Sequence, residues 1–111
     1  MENKIISNEV EFTKILEENL GVLYYFSRKT CNVGEALEPK IINLLETNFP
    51  KIPFYFIDMD QTPEVSIKYN VHIEPTILVF FDKKETIRKS RNFSVLELSD
   101  AIKRIYKIAF E

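Results

Sequence analysis

Apolar residues fall along this chain in two alternating rhythms, and the alternation lays out the elements. Phe12, Ile15, Leu16 and Leu20 repeat at helical spacing. Asn8 stands before them as a candidate cap, with Glu11 three residues on, where a carboxylate can bond back to the cap's amide. Gly21 suits a left-handed stop, so the spacing predicts a helix over about 9–20. Val22, Leu23, Tyr24, Tyr25 and Phe26 then run apolar without a break. A strand covered by helices on both faces has that signature.

The second helix is expected from about 32 to 48, its buried side marked by Leu37, Ile41, Leu44 and Leu45. Pro39 lies inside it and predicts a kink, because proline lacks an N–H and crowds the preceding turn. Pro50 and Pro53 bound a loop, and residues 54–57 form another two-faced strand. Thr62 is the expected cap and Pro63 the first residue of a short helix ending near Tyr69 and Asn70. A strand over 76–81 follows Pro75. A hairpin turn at 82–85 leads to a polar edge strand over 86–90. Ser94 and Glu97 open the last helix, whose stripe is Leu98, Ala101, Ile102, Ile105 and Ala109. With residues 4–7 as a short first strand, the order is β-α-β-α-β-α-β-β-α. This reads as one α/β domain over 1–111, with a central mixed sheet of four to five strands flanked by helices.

Composition narrows the function classes. The formal net charge of −2 gives no electrostatic case for nucleic acid or an anionic membrane. No apolar run approaches the length of a membrane span, and the N-terminus does not read as a signal peptide. One cysteine in 111 residues excludes an internal disulfide framework. These features favour a soluble protein in a reducing, cytoplasmic compartment. One cysteine and one histidine (His72) do not make a zinc site, and a single thiolate falls short of the four ligands an iron–sulfur cluster usually takes. No metal and no resident cofactor is expected.

The chemistry-bearing stretch is Arg28, Lys29, Thr30, Cys31, Asn32, Val33 and Gly34. It carries the lone thiol from the end of a strand to the start of a helix. Together with Pro39 eight residues on, Asp60-Gln61-Thr62-Pro63, Lys68-Tyr69-Asn70-Val71 and Glu74-Pro75-Thr76, it resembles the thioredoxin family over nearly the whole chain. The resemblance implies the thioredoxin-like three-layer fold and thiol–disulfide chemistry at Cys31. It also implies a cis Pro75 and a substrate ledge built from Glu74, Pro75 and Thr76 beside Thr30, Asn32, Val33 and Gly34. Departures from the family pattern are equally plain. Gly34 stands where a second cysteine is usual, Thr30 replaces a tryptophan, and Tyr25 and Phe56 replace a buried acid and its lysine neighbour.

A free cysteine has a pKa of about 8.5, and a helix N-terminus lowers it by favouring the anion. Arg28 and Lys29 add positive charge if they turn inward, while Glu74 opposes a thiolate. Two donors against one acid favour activation. Without a second cysteine, Cys31 can attack a disulfide but cannot release its product alone, so an external thiol such as glutathione is expected to resolve it. Protein or peptide thiols and disulfides are the expected partners. The alternative is a redox-silent module that binds extended partners in the same groove, with Phe26, Val33, Ile73 and Pro75 presenting the apolar surface. Asp58 and Asp60 read as a solvated turn and capping pair.

Overall fold

The computed structural model describes residues 4–28 and 32–111, without the side chains of residues 32–35. Its elements are α1 (Glu9–Glu18), β1 (Gly21–Ser27), α2 (Asn32–Asn48), β2 (Phe54–Asp58), α3 (Pro63–Lys68), β3 (Thr76–Phe81), β4 (Lys84–Ser90) and α4 (Val95–Phe110). Four strands form one sheet in the order β2-β1-β3-β4. β1 runs parallel to β2 and antiparallel to β3, and β4 closes one edge as an antiparallel hairpin partner. The expected first strand is reduced to a bridge between Ile5 and Phe56 along the outer side of β2.

The period of two in β1 and β3 divides the core into two layers. Leu23 and Tyr25 of β1, with Ile77, Val79 and Phe81 of β3, face α2 and α4. Val22, Tyr24 and Phe26, with Leu78 and Phe80, face α1 and α3. All seven residues of β1 are buried, as its unbroken apolar run requires. β4 is exposed except at Ile87, which suits an edge strand presenting charge to solvent. A register shift between Val79 and Phe80 bends the β3–β4 pair.

Several local expectations change. Asn8 caps α1 by accepting from the Glu11 amide at 2.9 Å, but the Glu11 carboxylate reaches back to the Ser7 amide, not to that of Asn8. α1 ends at Glu18, because Asn19 turns extended and its side-chain amide donates to the Ile15 carbonyl at 2.9 Å. Gly21 is therefore not a left-handed stop; no glycine has positive φ among the described residues. It opens β1, and a Cβ there would stand 3.0 Å from the Phe81 ring. Close approach to an aromatic side chain, not backbone freedom, is what the missing side chain provides.

Thr62 precedes α3 without capping it; its hydroxyl instead donates to the Ile6 carbonyl at 3.4 Å and ties down the N-terminal segment. Asn70, with φ 56°, supplies the left-handed residue just beyond the end of α3. The β3–β4 turn tightens to Asp82 and Lys83, both at positive φ, the geometry that matches a hairpin's twist. Ser94 accepts from the Glu97 amide at 3.0 Å and starts α4 where the sequence places it.

Candidate functional site

The topology brings three loops to one end of the sheet. Because β1 and β2 are parallel, both leave the sheet at the same end; because β3 is antiparallel to β1, it enters there. In register, Ser27 pairs with Asp58 and Phe26 with Thr76. Arg28 lies one residue past Ser27, Asp60 two past Asp58, and Glu74 two before Thr76. These residues, 32 and 46 positions away from Arg28, converge for that reason. The carboxyl ends of parallel strands are also where ligands bind in open α/β sheets.

Arg28 joins all three loops. Its Nε donates to Asp60 Oδ1 at 2.8 Å, and its Nη1 lies 3.1 Å from Glu74 Oε1. The hydrogen bond to Asp60 first, and that to Glu74 second, raise the guanidinium's pKa above its ordinary value. The second Glu74 oxygen is buried and has no hydrogen-bond partner among the described residues. This arrangement corrects the expectation of two cations acting against one acid: the arginine is committed to two carboxylates. Asp60, read from sequence as a solvated turn residue, belongs to the site. Asp58, expected to be solvated, is 4% exposed and accepts from the Asp60 amide at 2.9 Å, which sets the turn.

The Glu74–Pro75 peptide bond is cis. The Pro75 carbonyl accepts from the Arg91 amide at 2.9 Å, so the loop is fastened to the end of β4. Thr76, expected on the substrate ledge, is 1% exposed. Its hydroxyl donates to the Ile73 carbonyl and lies 3.0 Å from Ser90 Oγ. Its side chain braces the loop from behind and does not line a groove. Pro75 and Phe26 are buried as well, so of the expected apolar surface only Ile73, half exposed, stands outward among the described side chains.

Thr30 and Cys31 lie outside the described residues. Asn32, Val33 and Gly34 form the first turn of α2, which begins one position after Cys31 in the chain. Beneath this end of the sheet, Tyr25 packs its ring 5.7 Å from Phe54 and 6.0 Å from Phe56. Both positions where the resemblance leads one to expect an acid and a lysine are thus occupied by packed aromatic rings.

A sheet ordered β2-β1-β3-β4, helices on both faces and a cis proline facing the start of α2 define a protein of the thioredoxin-fold class. The family model described as Thioredoxin matches residues 3–104, and the chain belongs to the thioredoxin family. It is 28% identical to the thioredoxin-like protein YdfQ of Bacillus subtilis, over 89% of this chain and 88% of that protein. It is 34% identical to thioredoxin-2 of Pyricularia oryzae, over 69% of this chain and 44% of that protein. The structure of Fasciola hepatica thioredoxin superposes with a TM-score of 0.83 at 25% identity, covering 91% of this chain and 97% of that one.

Proposed function

We propose that this chain is a monothiol thiol–disulfide exchange protein, with Cys31 as nucleophile and an external thiol such as glutathione as resolver. The observation that carries the reading is the position of the sole cysteine, immediately before α2 of a thioredoxin-family fold. Unsatisfied amides at that helix end favour a thiolate. Protein or peptide disulfides are the substrates. The Cys31 sulfur attacks one sulfur of the partner disulfide; that S–S bond breaks, its other sulfur leaves as a thiolate, and a Cys31–partner disulfide forms.

Glutathione thiolate then attacks the Cys31 sulfur and releases the partner's second thiolate. A second glutathione attacks the glutathione sulfur held on Cys31, yields glutathione disulfide and returns the Cys31 thiolate. In sum, one partner disulfide is reduced and two glutathiones are oxidised. Gly34 explains why the resolver is external, since no described or undescribed residue supplies a second thiol.

The pH dependence of Cys31 alkylation tests this directly. A midpoint below the ordinary thiol value of about 8.5, with a mixed disulfide formed from oxidised glutathione, is the expected result. A thiol that stays unreactive until strongly alkaline pH would refute it and leave the redox-silent interaction reading, in which Cys31→Ser preserves partner binding. That second reading has less to draw on, since Phe26 and Pro75 are buried.

A further inference from the structure

We propose that Arg28 is a positioning residue for the exchange site, acting on it through Glu74: the guanidinium fixes the carboxylate beside Pro75 and offsets its charge where it would oppose the Cys31 thiolate. The inference rests on the reading of Cys31 as nucleophile.

Its basis is the span of Arg28 across three loops. One nitrogen is held by Asp60 at 2.8 Å and another lies 3.1 Å from Glu74. The arginine side chain is only about one-third exposed, at 35%, and that of Glu74 28%, so solvent screens the pair incompletely. Cys31 follows Arg28 by three residues, which keeps their Cα atoms within about 11 Å. That is close to the screening length of about 8–10 Å at moderate salt, so an unbalanced charge on Glu74 reaches the thiol. The unpartnered, buried Glu74 oxygen sharpens the point: without Arg28 the whole carboxylate would lack a described counter-charge.

The remaining charged and titratable groups around this end of the sheet come from each neighbouring element. Asp58 and Asp60 lie on the β2–α3 turn, His72 and Glu74 on the loop before β3, and Arg91 just beyond β4. Lys29 precedes Cys31 in sequence. Only Glu74 and Asp60 have side chains bonded to Arg28. A lysine at position 28 would keep the charge, but one ammonium does not reproduce a planar fork reaching two carboxylates.

The test is the alkylation midpoint of Cys31 in the full chain, read with iodoacetamide across pH, for wild type, Arg28→Met and Arg28→Met/Glu74→Gln. Arg28→Met is expected to raise the midpoint by about half a pH unit, which is about threefold slower alkylation at pH 7. Adding Glu74→Gln is expected to return it to the wild-type value. An unchanged midpoint in Arg28→Met overturns the proposal. So does a double variant that stays shifted, since the arginine would then act on the thiol by its own charge. Should Arg28→Met not fold, Asp60→Asn serves in its place: it leaves the Arg28–Glu74 pair and is expected to hold or lower the midpoint, and a rise overturns the proposal. The wild-type midpoint alone judges the exchange reading, whereas the differences between variants judge Arg28.

Discussion

Tyr24 offers a stability measurement whose sign reverses with pH. It is fully buried in the middle of β1, its ring stacked on Phe12 with centroids 3.9 Å apart. Its hydroxyl donates to the Phe12 carbonyl at 2.9 Å. Burial first, and then the neighbouring phenols of Tyr69 and Tyr55, raise its pKa far above the ordinary tyrosine value. Tyr24→Phe keeps the ring and removes the hydrogen bond, and at pH 7 is expected to cost about 1 kcal/mol. For a chain of this length that lowers Tm by about 4 °C.

Above pH 10 the balance changes. The unfolded chain releases the Tyr24 proton at about pH 10, while the folded chain retains it. The unfolded state then binds fewer protons than the folded state, so stability falls as pH rises. At pH 11 the wild type has lost about 1.4 kcal/mol through this residue alone, and Tyr24→Phe has lost none of it. Lysines and the other tyrosines titrate in both proteins and cancel in the comparison. Urea melts of both proteins at pH 7 and pH 11 are therefore expected to show the gap closing or reversing. A gap that remains at about 1 kcal/mol at pH 11 would refute the reasoning, because the Tyr24 phenol would then ionise as easily folded as unfolded.

Three further outcomes are expected. Gly21→Ala should destabilise by about 1–3 kcal/mol in thermal or urea melts, through overpacking against Phe81, and Phe81→Leu in the same background should recover part of the loss. If Phe81→Leu recovers nothing, the cost lies in the backbone and not in the ring contact. Ser94→Ala should cost about 1 kcal/mol by removing the acceptor for the Glu97 amide at the start of α4, measured the same way. Gly34→Cys should confer dithiothreitol-driven insulin reduction, since it restores an internal resolving thiol two positions into α2. No gain would mean that the aromatic packing of Tyr25 and Phe56 has removed more than the resolving step.

The balance between charges at the site shows why some functional residues escape a reading of the chain. Arg28 and Glu74 could each be placed near Cys31 from sequence, and their signs weighed, but only as independent charges. Whether two side chains 46 residues apart bind one another depends on strand direction and register. Here Phe26 meets Thr76 and Ser27 meets Asp58, and the loops follow. Asp60 was legible as a turn residue because Asp58 and Asp60 flank a strand end. Its grip on Arg28 left no local signal. Thr76 misled in the opposite sense: its neighbour Pro75 marks the site, yet the strand pleat turns the threonine side chain inward to Ile73 and Ser90.

What the amino-acid sequence determines by itself is the set of elements and their layering. The unbroken apolar run of β1 demands cover on both faces, the 3.6-residue stripes of α1 and α4 provide it, and Asn8 and Ser94 mark where those helices begin. The single cysteine and the glycine three residues beyond it are equally matters of sequence. The tertiary structure alone decides which space each side chain shares. It makes Gly21 a seat for the Phe81 ring, turns Thr62 from a cap into an anchor for Ile6, and draws Arg28 between Asp60 and Glu74. Periodicity and capping act over a few residues and are written locally. Ring contacts and ion pairs form between segments that only the folded sheet brings together.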